Sequence, residues 1–180
     1  MVYLFLADGF EEIEALYTLD VLRRAEVDVK TVGIGEKTVT GSHKIPVVCD
    51  MTSDALPFTN DFDMIILPGG LPGASNLDND KSVNRYIEIA AEKGKYIAAI
   101  CAAPYILGKR GLLKGKKATC FPGFEKYLEG AEIVDKGAVK DGNIITGRAM
   151  GSAHTFALLI LEALKGKDAA SEMKKKIVLK

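Results

Sequence analysis

Strand-length apolar runs, each followed by a stretch of helical periodicity, restrict this chain to few architectures. The first run is Val2 to Leu6. Residues 11–25 follow with Ile13, Leu16, Tyr17 and Val21 at helical spacing. Residues 27–34 read as a second strand and residues 63–67 as another buried one. Residues 38–48 read as a short antiparallel excursion turning at Gly41-Ser42. Residues 80–93 are predicted to be an amphipathic helix with Val83, Tyr86, Ile87, Ala90 and Ala91 on one face, stopped by Gly94. Residues 96–100 form the next strand, and residues 101–109 the helix after it, ending near Gly111. Short strands and turns are expected over 116–145. A last helix is expected over 152–164, with Gly166 beyond its end. Apolar strands separated by amphipathic helices imply a mostly parallel sheet covered on both faces. The predicted fold is therefore an α/β, doubly wound sandwich.

The remaining bulk properties narrow the class. The chain of 180 residues fits one domain, residues 1–180. Lys plus Arg equals Asp plus Glu, at 24 each, so no general attraction to nucleic acid or an anionic membrane is expected. The dense basic run Lys174 to Lys176 reads as a solvated terminus. Met1 leads into an apolar run without a basic leader, and no apolar stretch approaches the ~20 residues that span a bilayer. A cytoplasmic protein is expected. Cys49, Cys101 and Cys120 show no C-x-x-C spacing, so free thiols are expected and neither a metal site nor a cofactor is.

In open α/β sheets, ligands sit beyond the carboxyl ends of the strands. Three such ends carry chemistry. After Ile100 comes Cys101-Ala102-Ala103-Pro104, a strand passing into a helix within a residue or two, as in a nucleophile elbow. Small neighbours leave room for a substrate, and a helix N-terminus should lower the thiol pKa. A buried structural cysteine is the competing reading. After Leu67 comes Pro68-Gly69-Gly70, whose amides could hold an oxyanion facing Cys101, or which could be a plain turn. After Leu6 comes Ala7-Asp8-Gly9-Phe10-Glu11-Glu12-Ile13-Glu14. Acids in a first helical turn complement the macrodipole. Yet Glu14, one position from Ile13 on the expected buried face, could be desolvated, protonated and able to donate to a thiolate. His43 and His154, the two histidines, could each pair with a thiolate, although surface or helix-face roles suit them better.

These pieces together resemble the DJ-1/ThiJ/PfpI superfamily, and its DJ-1-like branch in particular. The likeness runs from Glu11-Glu12-x-Glu14 and Asp20-x-Leu22-Arg23-Arg24, through Leu67-Pro68-Gly69-Gly70 and Ala98-Ala99-Ile100-Cys101-Ala102-x-Pro104. It continues to Ile145-Thr146-x-Arg148, Phe156-Ala157-Leu158 and the closing Ile177-Val178-Leu179-Lys180. The resemblance implies a flavodoxin-like, glutamine-amidotransferase-like sandwich and a homodimer. It implies that Cys101 is the nucleophilic, oxidation-sensitive cysteine and Glu14 a protonated partner. Gly69, Gly70 and Ala102 would supply backbone donors, Arg148 would lie near the pocket, and Arg24 at a subunit interface. Phe121 stands where animal members carry a histidine, which places Cys120 close to the pocket.

Three activities follow from that likeness. The first is action on reactive carbonyls such as methylglyoxal, as a glutathione-independent glyoxalase or a deglycase. The second is an oxidative-stress sensor or chaperone working through oxidation of Cys101. The third is a peptidase, against which Ala102 argues, since PfpI-type members carry a histidine directly after the cysteine. The glutamine amidotransferase signature G-x-C-x-G with a later His-x-Glu is not present.

Overall fold

The computed structural model describes residues 1–57 and 59–179. Phe58 and Lys180 lie outside the described residues, so the last residue of the Ile177-to-Lys180 stretch is not placed. In chain order the strands and helices are β1 (Val2–Leu6), α1 (Glu12–Arg24), β2 (Val29–Gly33), β3 (Thr38–Thr40), β4 (Pro46–Val48) and β5 (Met51–Thr52). Then follow β6 (Met64–Leu67), α2 (Gly73–Asn79), α3 (Lys81–Glu92), β7 (Tyr96–Ile100), α4 (Pro104–Gly108), β8 (Lys117–Ala118) and β9 (Glu132–Ile133). The chain ends with β10 (Ala138–Asp141), β11 (Ile144–Gly147), α5 (Ala153–Lys165) and α6 (Lys167–Lys176).

Seven strands form the main sheet in the order β10-β11-β7-β6-β1-β2-β5. All pairs are parallel except β10 with β11. This is the expected mostly parallel, flavodoxin-like sandwich. Successive residues of a strand point to opposite faces, and here both faces are buried. Tyr3, Phe5, Ile65, Leu67, Ile97 and Ala99 pack on one side with Leu77, Val83, Ile87 and Ile106 of α2, α3 and α4. Leu4, Leu6, Met64, Ile66, Ala98 and Ile100 pack on the other with Leu22 of α1 and Phe156, Ile160 and Leu161 of α5. That double burial is why these strands read as continuous apolar runs.

Helix α3 forms as expected, because Asp80 accepts a hydrogen bond from the Val83 amide at 2.9 Å and so satisfies a free donor of its first turn. Gly94 follows it at φ 64°, in the left-handed region that ends helices. The excursion over 38–48 is the separate hairpin β3–β4. Four expectations need correction. Ile13 does not face the core but is exposed, because α1 turns Glu14, Ala15 and Thr18 inward instead. The helix predicted over 101–109 begins only at Pro104, because residues 101–103 form a turn. Helix α2 directly after the Pro-Gly-Gly turn was not foreseen, because its seven residues are too few to show a period. Finally, α5 is not the last helix: Lys174 to Lys176 close α6. This polar helix is held to α5 by Ala170 and Met173, and its terminal lysines complement its carboxyl end.

Candidate active site

Strands β7, β6 and β1 are neighbours in the sheet. Their carboxyl ends therefore bring Cys101, Gly69-Gly70 and the start of α1 to one place. Cys101 donates its amide to the Gly147 carbonyl at 2.9 Å, so β11 anchors it from the other side. Its φ is 66°. A non-glycine residue in this left-handed conformation costs on the order of 1–2 kcal/mol, and such strain collects at functional sites. Of the three thiols, Cys101 is half-buried and Cys49 and Cys120 are buried.

Glu14 lies in the first turns of α1 and is 1% exposed. Its Oε2 accepts the Gly69 amide at 2.8 Å, while its buried Oε1 has no hydrogen-bond partner. Burial pushes its pKa up to about 7. Hydrogen bonds with Cys101, Gly69 and Met150 oppose that rise, and the nearby charge of Glu11 adds to it. Thr18 closes the turn by donating its hydroxyl to the Glu14 carbonyl at 2.7 Å.

The thiol and the carboxyl form one electrostatic unit. Burial, together with the charge and hydrogen bonding of an ionised Glu14, pushes the Cys101 thiol up to about 12, against the Gly70 and Ala102 amides. That position belongs to a state in which the carboxylate already carries the charge. With Glu14 protonated, both of its contributions vanish, leaving burial against two amide donors. A second negative charge beside the first is disfavoured, so the thiol and the carboxyl do not both ionise near neutral pH. The sulfur is the more exposed and the more polarisable of the two groups. A protonated Glu14 can donate to the sulfur, since its carboxyl is hydrogen-bonded with Cys101. The expected lowering of the thiol pKa by a helix N-terminus does not operate, because α4 starts three residues later and is five residues long.

The other predicted residues sort as follows. Gly70 and Ala102 present amides to the sulfur. Gly69 instead serves the Glu14 carboxyl, correcting its expected place among the oxyanion donors. Arg148 pairs with Asp135 and donates its amide to the Gly137 carbonyl at 2.9 Å. Cys120 is buried, and its thiol is pushed up to about 12 by burial and Glu125, with Arg148 acting the other way. Its neighbour Phe121 donates its amide to the Cys101 carbonyl at 2.8 Å, so this segment does border the thiol. His154 lines a groove with Leu158, Glu162, Lys167 and Ser171, between α5 and α6. Arg24 is exposed and pairs with Asp20 at 2.6 Å.

One part of the site had no sequence signal. Glu12 is buried and clasped by the β3–β4 hairpin. It accepts the His43 amide at 2.7 Å and bonds the His43 ring Nδ1 at 2.9 Å and the Ser42 hydroxyl at 3.2 Å. Burial alone would raise its pKa, but these bonds outweigh burial and hold it at about 2. The exposed His43 is raised in turn by its bond to Glu12 and by the charges of Glu11 and Glu12. The clasp fixes the turn that delivers Glu14. It lies 30 residues and more apart in sequence, so no local motif could reveal it.

Comparison with known proteins agrees with this geometry. The profile of the DJ-1/PfpI family matches residues 1–163. Protein dj-1beta of Drosophila melanogaster is 39% identical over 177 residues, covering 97% of this chain and 94% of its own. A deglycase of Pyrococcus horikoshii is 33% identical over 168 residues, covering 92% of this chain and all of its own (100%). The crystal structure of Drosophila DJ-1beta superposes with a TM-score of 0.90 at 35% identity, covering 99% of this chain and 97% of that one. The oxidized DJ-1 of Toxoplasma gondii gives 0.92 at 30% identity, covering 98% and 97%. Fold, match length and strand-end motifs agree, and the chain belongs to the DJ-1/PfpI family.

Proposed function

We propose that this protein is a cysteine-dependent enzyme acting on small reactive carbonyls, converting methylglyoxal to lactate without glutathione, with residues 1–180 working as one domain. The observation that carries this reading is the fully buried Glu14 beside a strained Cys101, with one carboxyl oxygen left without a partner. A carboxyl with a pKa of about 7 can both give and take a proton near neutral pH.

The steps balance as follows. The Cys101 thiolate adds to the aldehyde carbon, forming an S–C bond, and Glu14 gives its proton to the aldehyde oxygen. The product is a hemithioacetal, with the Gly70 and Ala102 amides available to the developing oxyanion. Glu14, now a carboxylate, removes the C–H proton of the former aldehyde and returns it to the adjacent carbon through an enediol, while a hydroxyl proton shifts between the two oxygens. The aldehyde carbon is thereby oxidised and the ketone carbon reduced, so no external redox partner is needed. Water then cleaves the thioester, releasing lactate and the thiolate. One proton restores Glu14 and one leaves to solvent. Addition to glycated amines or thiols begins from the same thiolate, which is consistent with relatives described as deglycases.

The test is lactate formation from methylglyoxal in glutathione-free buffer. Turnover should occur in the wild type and fall to background in Cys101→Ser. Equal turnover by both proteins would overturn the reading.

A second reading has its own support, since Cys101 is the only one of the three thiols that is not buried. Mild peroxide should place two oxygens on Cys101, as a sulfinate, before any appear on Cys49 or Cys120. Mass spectrometry showing Cys49 or Cys120 modified first would count against a sensing role. We further propose a homodimer, supported by the exposed apolar residues Ile13 of α1 and Ile45 and Val48 of the adjoining hairpin.

A further inference from the structure

We propose that an aromatic cluster beside Cys101 is a substrate subsite that favours reactive carbonyls carrying an aryl group over those carrying a methyl group. This inference rests on the carbonyl-directed reading of Cys101 above, and it adds what the site selects.

Two segments build the cluster. Tyr105 follows Cys101 by four residues in α4, and its hydroxyl donates to the Ala74 carbonyl at 3.4 Å. Phe121, Phe124 and Tyr127 come from the loop after β8. The Phe121 amide donates to the Cys101 carbonyl at 2.8 Å, which ties that loop to the turn bearing the thiol. The rings form a connected group. Phe121 meets Phe124 edge-on at 6.5 Å, Tyr105 lies 6.2 Å from Phe124 and 6.0 Å from Tyr127, and Phe124 lies 5.8 Å from Tyr127. Lys109 sits over the Tyr105 ring and Lys126 over the Tyr127 ring, covering its outer side with cations.

The cluster is not a finished piece of core. Phe121 is 43% exposed and Tyr127 42%. Exposed rings held in a fixed arrangement, on a loop bonded to the residue that carries the thiol, leave apolar surface for another ring to cover, in the offset or edge-on contacts that aromatic pairs prefer. Ala102 and Ala103 add little bulk beside the thiol. A phenyl group extends farther from a sulfur-bound carbonyl than a methyl group does, and it offers a ring face or edge to such a cluster.

The test compares phenylglyoxal with methylglyoxal and adds a readout that needs no turnover. Wild-type kcat/KM should favour phenylglyoxal by about five- to tenfold, and Phe121→Ala should bring that ratio to within about twofold of unity. In parallel, Cys101 is alkylated with iodoacetanilide or iodoacetamide, sulfur displacing iodide in each case, and the rate ratio is divided by that of free cysteine. The normalised ratio should be about fivefold or more in the wild type and near one in Phe121→Ala. A wild-type ratio equal to that of free cysteine overturns the subsite. An aryl preference in alkylation with no turnover of either glyoxal sinks the glyoxalase reading and supports the subsite.

Discussion

Glu14→Gln should lower kcat for methylglyoxal by about 10²–10⁴, the range that removal of a positioned acid–base group produces. Glutamine keeps the shape and can still accept the Gly69 amide, but it cannot carry the proton between carbon and oxygen. The same substitution has a separate signature in stability. The carboxyl rises from an ordinary 4.5 to about 7 on folding. Between these values the folded chain holds a proton that the unfolded chain has lost. Wild-type stability should therefore be greatest below pH 4.5 as far as this group is concerned, and should decline as the pH rises to about 7. By about pH 7 the decline should amount to roughly 3 kcal/mol. Glu14→Gln should abolish that part of the decline in urea unfolding measured at pH 4.5 and 7. A variant with wild-type rate and an unchanged pH dependence of stability would remove Glu14 from the chemistry.

Gly69→Ala should damage the site almost as severely, for a steric reason. A Cβ at this position would lie 2.5 Å from the Cys101 Cβ, 2.7 Å from Glu14 Oε2 and 2.9 Å from the Ile100 carbonyl oxygen. Neither backbone nor nucleophile can accommodate that contact, so the three strand ends must part. Overpacking of this kind costs about 1–3 kcal/mol of stability, and a displacement of about 1 Å costs on the order of 10²-fold in rate. Gly151→Ala is the matched control, since a Cβ there meets nothing within 4 Å. Thermal melts with lactate assays should show a large loss for the first and almost none for the second. Full activity in Gly69→Ala would mean that the close packing of Gly69, Cys101 and Glu14 is not needed.

The sequence carried the site further than it carried the details of the fold. Burial on both faces makes β1, β6 and β7 continuous apolar runs, and the rule that ligands gather at carboxyl strand ends points to Cys101, Gly70 and Glu14, which the fold brings close together. Helix α6 was illegible because only Ala170 and Met173 of its ten residues are buried. The turn at residues 101–103 looks like helix in the sequence, since nothing in Cys-Ala-Ala marks a left-handed residue that tertiary bonds to Gly147 and Phe121 hold. The role of Gly69 was misplaced because adjacent amides at one turn can face different acceptors. The Glu12–His43 clasp joins residues 31 apart and belongs to packing rather than to any local pattern.

The account turns on where the single negative charge of the Cys101–Glu14 pair resides. Ultraviolet titration of thiolate absorbance in the wild type, with Cys101→Ser as the blank, reads this directly. A thiolate on Cys101 that forms at least about one pH unit below the ordinary ~8.5 of a free thiol is the predicted result. It would mean that Glu14 keeps its proton and supports the sulfur. A thiolate appearing only at or above that value would place the charge on Glu14 and contradict the account.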